Sequence, residues 1–183
     1  MKHQLIPSRK TLPFVTMVSF FLFLMACQNS EDGPSLSCPN MKMTTTIAGQ
    51  MRFMSLTNSI VFRKNTDSGG IKLLNMEATS DTFKVVFNLT DGMYGENALK
   101  NDSIHLDTFC FSRLGPQKKG LVAAAYLNSS GAFDFLTTDT SHIIISKINT
   151  RTQTISGSYF FMADNRTVTG GGSFENACYV SLQ

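Results

Sequence analysis

The chain has 183 residues, with 16 Lys and Arg against 13 Asp and Glu. Three of the basic residues, Lys2, Arg9 and Lys10, precede the first acidic residue, so the chain from residue 27 onward carries 13 charges of each sign. A neutral body disfavours nucleic acid or an anionic membrane surface as a partner, because both usually need a basic surface.

The N-terminus is typical of an export signal. Positive charge comes first, and an apolar segment of twelve residues, FVTMVSFFLFLM, follows it. The residues LMAC then match the bacterial lipobox, in which the chain is cleaved before a lipid-modified cysteine. A membrane-spanning helix needs roughly 20 apolar residues, so an uncleaved anchor fits less well, and an ordinary secretory signal leaves Cys27 unexplained. We predict a lipoprotein signal peptide over residues 1–26 and acylation, such as palmitate, on Cys27.

Residues 27–40 are polar and contain two prolines and a glycine, which predicts a flexible tether before a single domain at 41–183. Glu31 and Asp32 in this tether partly resemble the acidic signal that directs lipoproteins of Bacteroidetes-type bacteria to the cell surface. The predicted location is therefore the cell envelope, at the outer membrane, with the periplasmic and surface faces both left open.

Three cysteines remain after Cys27, namely Cys38, Cys110 and Cys178. Their number is odd, so at least one thiol lacks an intramolecular partner, although the exported location permits disulfides. Cys110 and Cys178 both fall in predicted strands, and we take them as the candidate disulfide.

The domain is rich in residues that favour strands, and period-two alternation is clearest in TFKVVFNLT, residues 82–90. Further strands are predicted in 43–54, 70–79 and 103–111. The segment LVAAAYL could be a helix by propensity, but it is short and lies between turn residues, so we predict a strand. Near the C-terminus, HIIISKI and TISGSYFFMA flank a turn and predict a β-hairpin, in which the second strand carries aromatic residues on both faces.

Many short strands separated by turn residues indicate an all-β fold, an antiparallel β-sandwich or a partly open barrel. The apolar positions of the predicted strands should form the core. The predicted core residues are Phe83, Val85, Phe87, Ile145, Ile155, Tyr159, Phe161 and Phe174.

The C-terminal segments ISKIN, TISGSYFF and VTGGGSFENACY resemble the closing part of a family of small β-rich lipoproteins of unknown function from Bacteroidetes-type bacteria. The resemblance covers about 40 residues and the lipobox. The third segment differs from the family pattern, because it has three glycines, Gly170 to Gly172, and one additional residue. The resemblance implies an all-β fold and an envelope location, and it implies no activity.

Sites for metals, cofactors or modification are few in the sequence. His105 and Asp107 would share one side of a strand and could meet one metal ion, but a third ligand is missing, so solvated edge residues are the preferred interpretation. We predict no metal and no cofactor.

A short motif, Asp102-Ser103-Ile104, resembles an acceptor for O-glycosylation in Bacteroidetes-type envelopes. This resemblance makes Ser103 a candidate modification site.

Catalytic motifs are not evident either. The nucleophile elbow of serine hydrolases is missing, and the acids at strand ends are typical of solvated turns. Gly170 to Gly172 precede a strand rather than a helix, which favours a bulge or turn over a phosphate-binding loop. We therefore predict a non-enzymatic role, binding or structural, with an unknown protein or glycan partner. An envelope hydrolase acting on glycans and a lipocalin-like carrier of small ligands are the alternatives.

Overall fold

A computed structural model describes residues 38–65, 70–93 and 104–181, which belong to one compact unit, Leu36–Gln183. Eleven strands account for most of these ranges, and none of the described residues is helical. The strands are β1 (Lys42–Ile47), β2 (Gln50–Phe53), β3 (Ser55–Asn65), β4 (Ile71–Thr79), β5 (Phe83–Met93), β6 (Thr108–Ser112), β7 (Gly120–Leu127), β8 (Phe133–Phe135), β9 (Thr138–Asn149), β10 (Thr154–Ala163) and β11 (Val168–Ser181).

The strands form two antiparallel sheets that are linked through β11. The front sheet has the order β6-β9-β10-β11-β1-β2, and the back sheet has the order β3-β4-β5-β7-β8. The end of β11 leaves the front sheet and pairs in parallel with β3, where Tyr179 lies opposite Ile60. The described residues form strands and no helix, so the all-β prediction is confirmed. The sheets do not close into a barrel, and the architecture is consistent with a sandwich.

Large apolar side chains fill the space between the two sheets. Phe87 of β5 contacts two aromatic rings of the front sheet, with centroids 4.6 Å from Tyr159 and 5.8 Å from Phe174. All eight predicted core residues are buried, with at most 3% of their surface exposed. The alternation read from the sequence therefore assigned the correct face to these residues.

At one edge of the sandwich, side chains of β9 connect the front sheet to β7 of the back sheet. Ser141 Oγ accepts a hydrogen bond from the Val122 amide (3.0 Å) and donates to the Gly120 carbonyl (2.8 Å). Thr138 Oγ1 donates to the Val122 carbonyl at 2.7 Å. These two buried hydroxyls satisfy backbone groups of β7, which would otherwise be costly to bury unpaired.

The strands differ from the sequence predictions in four places. The segment 43–54 is a hairpin of β1 and β2 rather than one strand, because Ala48 and Gly49 adopt positive φ of 50° and 75° in a two-residue turn. β6 begins at Thr108, so the predicted strand over 103–111 is too long at its start. Strands β3 and β8 were not predicted at all.

A β-bulge changes the direction of side chains in β11. Gly157 pairs with Phe174 and Ile155 pairs with Ala177, so Glu175 and Asn176 together oppose a single residue, Ser156. Beyond the bulge, Ala177 and Tyr179 enter the core. Strict alternation from Phe174 would place Cys178 and Val180 on its inward face, but the bulge reverses the alternation, and both residues are only half-buried.

Candidate functional site

The most distinctive polar and aromatic surface of the described residues is the outer face of the front sheet. Strand pairing aligns one residue from each of its six strands across this face, which we call the outer row. The outer row consists of Cys110, His142, Phe160, Gly171, Thr46 and Met51. Neighbouring strands lie about 4.8 Å apart, so the outer row is about 24 Å long.

Phe160 and His142 form an aromatic platform at the centre of the outer row. Their rings stack with centroids 5.5 Å apart and an interplanar angle of 24°, and both residues are half-buried. Gly171 lies beside Phe160, and an added Cβ there would come within 2.7 Å of the Tyr159 carbonyl oxygen and 3.5 Å of the Phe160 ring. The glycine therefore keeps the surface next to the platform flat.

The other two glycines of the triplet, Gly170 and Gly172, face the opposite, inner side of β11. An added Cβ at Gly170 would meet the Phe161 ring at 2.5 Å, and one at Gly172 would meet the Thr44 carbonyl oxygen at 1.8 Å. Both glycines are paired on each side within the sheet, with β10 and with β1. The prediction of a bulge or turn at Gly170 to Gly172 is therefore wrong, and the bulge lies at Glu175 and Asn176 instead.

Hydroxyl groups border the platform. Thr44, Ser173 and Ser158 align in a neighbouring row that also contains Ile144. Within the described ranges, the hydroxyls of these three residues make no hydrogen bond. The platform thus has flat aromatic surface at its centre and unoccupied donors and acceptors at its side.

One end of the outer face leads into a cavity of about 280 Å³, the arginine pocket, lined by Ser112, Arg113, Leu114, Asp139, Thr140, Asn165 and Arg166. Asp139 organises this pocket. Its Oδ1 accepts from Arg113 Nη2 at 2.6 Å and its Oδ2 accepts from the Arg166 amide at 2.8 Å. The Arg166 amide and the Arg113 guanidinium hold the pKa of Asp139 below its ordinary value, so the carboxylate stays ionised at neutral pH.

The opposite end of the face contains a second depression, the serine groove, with a volume of about 360 Å³. Its lining includes Ser146, Ser156, Ser173, Lys147, Glu175 and Asn176. The β-bulge shapes this groove, because Asn176 has φ of 51° and its amide donates to Ser156 Oγ at 3.0 Å. Ser156 Oγ is thereby already engaged within the fold.

A separate polar cluster joins β4 and β5 to the start of the segment before β6. Asp91 is buried and lies 3.4 Å from Lys72 Nζ, and His105 contacts it through both its amide (3.0 Å) and its ring Nδ1 (2.7 Å). Burial alone would raise the pKa of Asp91, but the hydrogen bonds from His105 and the charge of Lys72 together hold it below the ordinary value. Lys72 and His105 therefore pair with the buried carboxylate of Asp91, and this cluster stabilises the fold.

The pairing of His105 with Asp107, considered from the sequence, is not observed. His105 turns to Asp91, and Asp107 accepts a hydrogen bond from the Thr108 amide at 2.6 Å. Among the residues that the structure describes, no group of three His, Cys, Asp or Glu side chains could hold a metal ion.

The predicted disulfide between Cys110 and Cys178 is wrong. Cys178 bonds to Cys38, with Cα atoms 5.7 Å apart, and Cys110 is free and exposed. β6 and β11 are separated by β9 and β10 in the front sheet, which by itself puts the two strands about 14 Å apart, whereas a disulfide needs Cα atoms within about 7 Å. Cys110 also aligns with Gly171 rather than with Cys178, which lies seven positions further along β11. The structure therefore ties Cys38, which was assigned to the tether, directly to the domain.

Cys27 and Ser103, the predicted lipidation and O-glycosylation sites, lie outside the described residues.

The aromatic platform was not predicted from the sequence. Aromatic residues on both faces of β10 would fit a strand that is covered on both sides, but Phe160 on the outer face is only half-buried. The position of His142 opposite it became visible only through strand pairing.

No family model, curated protein or solved structure matches this chain. Within residues 38–65, 70–93 and 104–181, no helix is long and apolar enough to cross a membrane.

Proposed function

We propose that the protein is a lipid-anchored lipoprotein of the cell envelope that binds a glycan, without catalysis, on the outer face of its front sheet. The observation that carries this proposal is the partly exposed stack of Phe160 on His142, with Gly171 beside it and a row of hydroxyls along its edge that make no hydrogen bond to any residue the structure describes. A sugar ring presents C–H groups on its flat faces and hydroxyls at its rim. Aromatic rings pack against the C–H faces of a sugar, and nearby side-chain hydroxyls form hydrogen bonds with the sugar hydroxyls.

The anchor follows from the N-terminal signal and Cys27. Ten residues separate Cys27 from Cys38, where the disulfide attaches the chain to β11. A fully extended chain of this length spans about 38 Å. A lipid on Cys27 would therefore hold the binding face close to the membrane, at the outer membrane of the envelope, where glycans are abundant.

The distribution of acidic side chains favours binding over hydrolysis. A glycosidase needs two carboxyl groups about 5–9.5 Å apart across one cleft. Asp134 is exposed on the edge strand β8, Asp107 caps a strand, and Asp139 is neutralised by Arg113. The carrier alternative would require a closed barrel around an apolar chamber, whereas the sheets here enclose a packed core.

Replacing Phe160 by alanine should weaken glycan binding about 10-fold, which corresponds to about 1.4 kcal/mol of lost stacking. The full-length protein, kept in mild detergent, would be titrated calorimetrically with soluble glucan, galactan and polygalacturonate oligosaccharides. Phe135→Ala is the matched control, because Phe135 is 57% exposed but lies on the back sheet. The proposed binding face is wrong if none of these glycans binds, or if the two variants lose affinity equally.

Replacing Cys27 by serine should abolish lipidation and the cleavage that depends on it. Cells grown with a labelled fatty acid should incorporate label into the wild-type protein and none into Cys27→Ser, which should also migrate as the heavier precursor. Cys110→Ser is the matched control and should be labelled normally, because Cys110 lies on the exposed face of the folded domain. Equal labelling of the wild type and Cys27→Ser would contradict the lipoprotein assignment.

A further inference from the structure

The arginine pocket is continuous with the aromatic platform. Ser112 and Thr140, which line the pocket, are opposite one another in β6 and β9. Thr140 lies two residues before His142 on the same face of β9, a separation of about 7 Å. A chain-like ligand that covers the platform can therefore reach the pocket without crossing another element of the described structure.

The pocket carries a net positive charge. Arg113 and Arg166 face one carboxylate, Asp139, which is bound by Arg113 Nη2 and by the Arg166 amide. The Arg113 side chain is 42% exposed, and of its guanidinium nitrogens only Nη2 is engaged within the described residues, by Asp139 and by Asn165 Oδ1 at 3.4 Å. Lys118 adds a further positive charge nearby, because its Nζ donates to the carbonyls of Ser112 and Arg113.

Arg166 is held in place while its guanidinium remains available. The turn between β10 and β11 has positive φ at three successive residues, Asp164, Asn165 and Arg166. Asp164 fixes this turn by accepting from the Thr137 amide at 2.8 Å, and Asp139 fixes the Arg166 amide. Within the described ranges, the Arg166 guanidinium itself makes no hydrogen bond or ion pair. Such residues in unfavourable backbone conformations often cluster at binding sites.

We infer that the arginine pocket binds the carboxylate of a uronic acid, so that the glycan bound by the platform is acidic. This inference rests on the proposed function and specifies its ligand. A carboxylate accepts paired hydrogen bonds from a guanidinium in a planar arrangement. Arg113, Arg166 and Lys118 outnumber Asp139 at the pocket, so the pocket attracts an anion, and the planar guanidinium of Arg166 suits a planar carboxylate.

The test compares oligogalacturonate with its fully methyl-esterified form, which keeps the sugar backbone and removes the charge. Binding to the full-length protein in mild detergent is measured for the wild type, Arg166→Gln and Arg151→Gln. Arg151 is an exposed arginine in the turn between β9 and β10 and serves as the matched charge control. We expect the wild type and Arg151→Gln to bind the acid about 10-fold more tightly than the ester, and Arg166→Gln to bind both equally.

The preference for the acid should also shrink as salt is raised from 50 to 500 mM, while binding of the ester stays constant. Equal wild-type affinity for the acid and the ester, with both sensitive to Phe160→Ala, would overturn this inference and leave the platform intact. An acid preference that survives in Arg166→Gln would also overturn it. Binding of neither form would overturn the uronic acid assignment, and the glucan and galactan titrations then decide the platform separately.

Discussion

Replacing Phe87 by alanine should lower the free energy of unfolding by about 3–5 kcal/mol. The Phe87 side chain is 1% exposed and joins the two sheets through its contacts with Tyr159 and Phe174. Its removal would leave a cavity between β5, β10 and β11, and these strands cannot collapse around it without breaking their ladders. Urea denaturation followed by circular dichroism gives the midpoint and the slope for the wild type and the variant.

Phe135→Ala is the matched control for this prediction, because it deletes the same atoms from a side chain that is 57% exposed. Its expected cost is below about 1 kcal/mol, in the range of surface substitutions. Similar midpoints for Phe87→Ala and the wild type would mean that Phe87 does not lie between the sheets, and the strand register of β5 would have to be revised.

Replacing Cys38 by serine should destabilise the domain by about 2–5 kcal/mol under non-reducing conditions. The disulfide between Cys38 and Cys178 spans 140 positions of the chain, so it closes a long loop and restricts the unfolded state strongly. A reducing agent should lower the denaturation midpoint of the wild type to that of Cys38→Ser and leave the variant unchanged.

Cys110→Ser distinguishes this pairing from the one expected from the sequence. Cys110 is a free, exposed thiol, so its replacement should change the free energy of unfolding by less than about 0.5 kcal/mol. A loss of stability in Cys110→Ser together with an unchanged midpoint in Cys38→Ser would restore the disulfide between Cys110 and Cys178.

The sequence alone determined the fold class and eight large residues of the core. Phe83, Val85 and Phe87 recur at every second position, and this period of two directly reports which face of the strand is buried, although Val86 interrupts the alternation. The hairpin of β9 and β10 was also predictable, since two strand-forming segments flank a turn of polar residues. The lipobox at Cys27 is likewise a local signal, and it stays a prediction.

The tertiary structure decided the features that depend on which strands are neighbours. The partner of Cys178, the alignment of Phe160 with His142 and the meeting of Arg113 with Asp139 and Arg166 join residues of different strands and turns. Alternation within a strand carries no information about its neighbours in the sheet. The bulge at Glu175 and Asn176 was hidden for a related reason: one inserted residue reverses all later side chains, and only the register against β10 shows where that insertion lies.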